Sequence, residues 1–177
     1  MIDEDVKQKI IPIIKNQLEN GSEIWLRING KSMFPFIDNE ERVLVKKKDI
    51  NYWKIGDIGL YKKNDILLTH RIIAKRWDQL LLKGDQNLIP DQWVNEKDIW
   101  GKIISIDKGN RIWNLNSDQW CWINSLIGLI QSPVKIFFQP NQKYNNENNN
   151  YQKIIIYILK VYKLFTTLLE RILIFGR

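Results

Sequence analysis

Residues 23–36 read Glu23-Ile24-Trp25-Leu26-Arg27-Ile28, then Asn29-Gly30-Lys31-Ser32-Met33-Phe34-Pro35-Phe36. Within the first six, Ile24, Leu26 and Ile28 fall on alternate positions, as on one face of a half-buried strand. The next eight break that strand. Gly30 has no Cβ, so the chain can bend sharply there and turn backbone groups outward. Pro35 fixes φ and removes a donor, which closes the turn. Between them one hydroxyl, Ser32, sits just past a strand end, a setting suited either to an ordinary loop or to an exposed nucleophile.

Outward from this stretch the strand pattern continues to about Arg111. Val43 and Val45 alternate, and Ile58 and Leu60 follow the turn Lys54-Ile55-Gly56-Asp57. Ile66–Ala74, Gln79–Lys83 and Trp100–Asp107 complete the set. Turn residues recur between them at Asp38-Asn39, Asn64-Asp65, Gly84-Asp85, Pro90-Asp91 and Lys108-Gly109-Asn110. Short strands with no helices between them predict a mainly β fold with an antiparallel, barrel-like core.

Helical patterns lie at either end of this core. Residues 4–19 predict an amphipathic helix with Val6, Ile10, Ile13, Ile14 and Leu18 on one face; Pro12 kinks it or marks its start. Residues 112–138 hold Trp113, Trp120, Trp122 and an apolar run. They read as a helix closing the sheet or as an aromatic belt at a membrane interface. An Asn-rich linker follows at 139–152. In 153–177, Lys153, Lys160, Lys163, Thr167, Glu170 and Arg171 form one narrow stripe on an otherwise apolar helix. That pattern fits an in-plane interfacial helix, or a helix docking on 112–138 or on a partner. The expected organisation is thus an N-terminal helix (1–22), a β core (23–111), a closing segment (112–138), a linker (139–152) and a C-terminal helix (153–177).

Composition narrows the function. The 177 residues carry a formal charge of +7, with 44% hydrophobic residues and eight Trp. Lysines are scattered, with no basic helix or finger module to read a groove, so a membrane surface is expected as the anionic partner ahead of nucleic acid. The single Cys, Cys121, excludes an internal disulfide, and the single His, His70, excludes multi-His metal sites. No metal and no cofactor are expected. The acidic Met1–Val6 stretch shows no export signal, and no run of about 18 uncharged apolar residues provides a span.

Three β-region stretches hold the parts of a serine nucleophile. A serine hydroxyl needs an adjacent base, imidazole suits that task at neutral pH, and a carboxylate on the far ring nitrogen fixes the tautomer. Ser32 lies in the Gly30 turn, His70 in Leu68-Thr69-His70-Arg71-Ile72-Ile73, and Asp85 and Asp91 in Lys83-Gly84-Asp85-Gln86-Asn87-Leu88-Ile89-Pro90-Asp91. Taken singly, each is also an ordinary packed histidine or turn acid.

Together the motifs resemble type I signal peptidase, of the S24/S26 serine-peptidase group. They are Gly-x-Ser-Met-x-Pro, Gly56-Asp57-Ile58, His70-Arg71-Ile72, and Lys83-Gly84-Asp85-x-Asn87 followed by Asp91. The match runs from about Ile28 to Ile104. His-Arg resembles the endoplasmic-reticulum and archaeal branch, which uses Ser and His where other members use Ser and Lys. The resemblance implies Ser32 as nucleophile, His70 as base, Asp91 as third member and Asp85 as a supporting acid. It implies an oxyanion site at the Gly30 turn and the Ser32 amide, and a substrate cleft along Met33, Phe34 and Pro35. The substrate it implies is a protein bearing a signal or leader peptide. Two departures stand out: Gly30 replaces a common Ser two residues before the nucleophile, and residues 1–22 are too short and polar for the usual anchor. The C-terminal helix is therefore expected to make the protein membrane-associated, peripherally or as an anchor, with a cytoplasmic protein as the alternative. A catalytically silent family member serving as a binding or regulatory module at a membrane or on DNA is the competing function.

Overall fold

A computed structural model describes residues 4–133 together with Tyr157, Lys160, Val161, Lys163, Leu164 and Leu168. Helix α1 (Glu4–Glu19) leads into β1 (Ile24–Arg27), β2 (Arg42–Lys46), β3 (Ile58–Lys63), β4 (Ile66–Arg76), β5 (Gln79–Lys83), β6 (Trp93–Asn95), β7 (Ile99–Asp107) and β8 (Ile112–Asn114). Helix α2 (Asp118–Gln131) follows. The strands form one antiparallel sheet in the order β1-β2-β7-β3-β4-β5-β6, with β8 beside β7. It is the expected curled, barrel-like antiparallel sheet flanked by an N-terminal and a C-terminal helix.

Alternation along the central strands separates two cores. Ile58 and Leu60 of β3 join Met33, Phe36, Ile37, Val43, Val45, Ile103 and Trp113 in the larger one. Tyr61 joins Ile72, Leu82 and Trp53 in a smaller one on the other face. The β3–β4 hairpin turns through Asn64 and Asp65 at φ 48° and 60°. Two left-handed residues in a two-residue loop match the right-handed strand twist, and they fix the register Lys63↔Ile66, Tyr61↔Leu68 and Gly59↔His70.

Both helices cap the larger core, with one shift of face. In α1 the residues turned inward are Ile11, Ile14 and Leu18, at i, i+3 and i+7, while Ile10 and Ile13 are 43% and 59% exposed. The sequence placed Ile10 and Ile13 inward because either three-residue phase of so apolar a helix gives a continuous stripe. Pro12 lies inside the helix and does not mark its start.

Helix α2 seats Ile123 and Ile127 in the core. A Cβ on Gly56 would lie 2.1 Å from the Asn124 carbonyl oxygen, and one on Gly128 2.5 Å from the Gly56 nitrogen. Helix and turn thus meet backbone to backbone, which only glycine allows. Trp113 stacks on Trp120 at 4.4 Å, and Phe36 meets both rings edge-on. These two tryptophans therefore pack beneath the nucleophile-bearing loop and do not form an interfacial belt.

The expected membrane association is corrected here. Among the described residues no helix is long and apolar enough to cross a membrane; α1 has 16 residues and α2 has 14, against about 20 for a span. Most of the 153–177 helix, and the 139–152 linker, lie outside the described residues. Lys163 of the basic stripe is half-buried and donates to the Gln86 carbonyl of the β core, a protein partner in place of a lipid headgroup.

Candidate active site

The site is assembled where three connections converge on the middle of β4. After β1 the chain turns at Gly30, whose φ of 109° demands glycine although a Cβ there would meet nothing within 4 Å. The Gly30 amide donates to Asn39 Oδ1 at 2.8 Å, closing the loop on itself. The Ser32 carbonyl accepts from the Gln86 amide at 2.7 Å. That bond ties the loop to the β5–β6 connection. Gly84 permits the approach, since a Cβ there would lie 2.8 Å from the Ser32 carbonyl oxygen.

Ser32 is left half-buried with its hydroxyl 3.1 Å from His70 Nε2. On the far side of the ring, His70 Nδ1 lies 2.5 Å from Asp91 Oδ2. Burial works to raise the Asp91 pKa, but the His70 hydrogen bond and charge, the Tyr61 hydroxyl and Lys63 together hold it below the usual carboxylate range. An ionised carboxylate only accepts hydrogen bonds, so Nδ1 must carry the ring proton. Nε2 then offers its lone pair to the Ser32 hydroxyl, the tautomer that general-base chemistry requires.

Asp85 has a different station. It pairs with Arg71 through two hydrogen bonds of 2.9 and 2.8 Å, and both side chains are fully buried. Arg71 also donates to the Gly56 carbonyl and to Asn124 Oδ1, and lies over the Phe36 ring at 4.7 Å. Gln131 donates to Asp85 Oδ1 at 3.0 Å. Of the three residues expected in the substrate cleft, Met33 and Pro35 are buried, Met33 inside the larger core at 1% exposure. The turn folds both inward, and Phe34 is half-buried. Among the described residues no cluster of His, Cys, Asp and Glu could hold a metal ion.

The sequence profile of the Peptidase S24-like family matches residues 1–104. The chain belongs to that family. No curated protein matches the sequence. The matched span is more than half of the chain and contains Ser32, His70, Asp85 and Asp91. The curled antiparallel half-barrel is the architecture of the LexA and signal-peptidase superfamily, and the protein is a serine-type endopeptidase.

Two side chains at the peptidase's site were missed in the sequence. The Tyr61 hydroxyl lies 2.8 Å from Asp91 Oδ2 and 3.0 Å from His70 Nδ1, and Lys63 Nζ lies 3.5 Å from Asp91 Oδ1. A signal for both was available. The Asn64-Asp65 turn sets Gly59 opposite His70, which places Tyr61 and Lys63, at i+2 and i+4, on the histidine's face of the sheet.

Proposed function

We propose that this endopeptidase cleaves signal or leader peptides by acyl transfer, using Ser32, His70 and Asp91, in the manner of the Ser-His branch of signal peptidases. The observation that carries the reading is the continuous line from Ser32 Oγ through the imidazole to the Asp91 carboxylate, at 3.1 and 2.5 Å. As Oγ attacks the scissile carbonyl, Nε2 takes its proton, and Asp91 stabilises the resulting imidazolium without itself being protonated. The proton passes to the leaving amine, the acyl-enzyme forms, and a water deprotonated by the same imidazole releases it.

The Ser32 amide has no acceptor among the described residues and is the donor we assign to the oxyanion. The Gly30 amide is committed to Asn39, so Gly30 serves the turn. Loss of one oxyanion donor costs about 10²–10³ in rate, so a slow peptidase is expected, one suited to a few dedicated leader sequences. Residues 23–111 carry this catalytic unit. Substrate lies extended along a strand edge, with Phe34 at the rim, and the family resemblance favours small residues before the cut.

A serine-directed phosphonate tests the reading. It should label Ser32 in the wild-type protein and fail in His70→Ala. Ser32→Ala and His70→Ala should each abolish cleavage of leader peptides or of a purified secretory precursor, a loss of about 10⁶ in kcat by analogy with other serine peptidases. Turnover that survives either substitution removes the dyad. Labelling without cleavage of either substrate would keep the dyad and discard the signal- or leader-peptide assignment.

A further inference from the structure

Asp91 does not stand on a strand. It belongs to the connection between β5 and β6, where its amide donates to the Leu82 carbonyl at 2.8 Å and pins the backbone to β5. That bond leaves the carboxylate free to rotate about χ1 and χ2. An orienting carboxylate is useful only if it is held within a narrow range of positions behind the ring.

Neighbouring β3 supplies the restraint. Tyr61 and Lys63 are two residues apart on one strand, so both side chains leave the same face. The Tyr61 hydroxyl donates its single proton to Asp91 Oδ2, the oxygen that also receives the Nδ1 proton of His70. Lys63 approaches the other oxygen, Oδ1. Both carboxylate oxygens are therefore engaged from one strand. Tyr61 has no exposed surface. Burial, then the Asp91 charge and hydrogen bond, push its ionisation far above the ordinary tyrosine range, so the donor keeps its proton at every working pH.

We propose that Tyr61 and Lys63 form a clamp on Asp91, acting as positioning residues that fix the His70 tautomer through the carboxylate. The proposal rests on the reading of His70 as the base, and it adds two residues of β3 to that reading. The groups facing His70 are Ser32 from the loop after β1, Tyr61 and Lys63 from β3, and Asp91. Lys102 of β7 is paired with Gly59 and is neutralised by Asp57 at 2.6 Å. The two clamp members act differently. Tyr61 is buried and works by a hydrogen bond to a charge, whereas Lys63 is about a third exposed and works by a screened field.

Because His70 is the only histidine, its ring signals in NMR of the full-length protein need no assignment, and they report on the clamp whether or not the protein turns over. In the wild type a downfield Nδ1 proton should be visible, and Asp91→Asn should remove it. Tyr61→Phe should lower kcat by about 10–100-fold, the scale of a lost hydrogen bond to a charged group, with KM changed less than about twofold. It should also speed exchange of the Nδ1 proton. Lys63→Gln releases the second carboxylate oxygen, so the Nδ1 proton should exchange faster there too, and raised salt should move the wild type toward the variant. If Tyr61→Phe keeps kcat within about twofold and leaves the Nδ1 proton protected, the clamp is wrong. Should that variant not fold, unchanged protection of the Nδ1 proton in Lys63→Gln overturns it equally. Cleavage that survives Ser32→Ala would defeat the acyl-transfer reading while these ring signals still decide the clamp.

Discussion

His70 and Arg71 are consecutive residues of β4, and each takes a carboxylate from the same short connection. His70 faces the smaller core and meets Asp91; Arg71 faces the larger core and meets Asp85. The strand's alternation sends neighbours to opposite sides of the sheet, so one dipeptide anchors two unlike ion pairs. The Arg71–Asp85 pair is sealed, with both side chains at 0% exposure and polar partners from the Gly56 turn and α2. The His70–Asp91 pair is closed on one side by Tyr61 and open on the other to a half-buried serine. A permanently charged guanidinium with four of its five N–H donors committed holds structure. An imidazole with one committed nitrogen and one facing a hydroxyl can move a proton.

The sharpest way to break this contrast is to exchange the losses. Asp91→Asn should lower kcat by about 10⁴-fold, because the amide no longer enforces the productive tautomer, while the urea midpoint falls by much less than a broken buried pair would cause. Asp85→Ala should do the reverse. It strands a buried guanidinium, and breaking a buried pair in this way costs about 3–5 kcal/mol of stability, read from urea unfolding. If Asp85→Ala unfolds no more easily than Asp91→Asn, the structural assignment of the Arg71 side is wrong.

A smaller effect is expected where the two sides share a support. Gly84 precedes Asp85 and lies against the Ser32 carbonyl, and Gln86 holds that carbonyl by its amide. Gly84→Ala forces the nucleophile loop or the Asn87 side chain to move by several tenths of an ångström. Misplacement on this scale can cost up to about 10² in rate, so kcat should fall by one to two orders, with phosphonate labelling slowed in proportion. Unchanged labelling would show that the two connections are not mechanically joined.

Much of the fold could be read from the chain because its signals are local. Gly30, Asn64-Asp65 and Gly84-Asp85 are turn chemistry, and the alternation of Val43/Val45 and Ile58/Leu60 marks faces directly. Ser32, His70, Asp85 and Asp91 could be picked out because hydroxyl, imidazole and carboxylate in ordered motifs suit one chemistry. What stayed hidden depends on register and on tertiary contact. Tyr61 looks like one more apolar residue of a buried strand until the hairpin register is applied. Asn124 and Gln131 look like the solvent side of α2, and only the docking of that helix on Gly56 turns them toward Arg71 and Asp85. The inward face of α1 was misread for a related reason: with isoleucines at 10, 11, 13 and 14, periodicity alone cannot choose the phase.

The last expected effect separates the two carboxylates by acid. The Asp91 pKa is depressed in the folded protein: burial opposes ionisation, but the His70 hydrogen bond and charge, the Tyr61 hydroxyl and Lys63 outweigh it. A carboxyl whose folded value lies below its unfolded value, about 3.9, contributes stability that is fully present above that unfolded value. The contribution is lost as the pH falls through the folded value. Asp91→Asn carries no such titration. The difference in urea midpoint between wild type and Asp91→Asn, measured in a Ser32→Ala background to prevent self-digestion, should hold steady from about pH 6 to about pH 5 and shrink below about pH 4. A difference that persists unchanged into that acid range would mean that Asp91 is not held ionised by its neighbours, and the hydrogen-bond polarity assigned to the imidazole would have to be reversed.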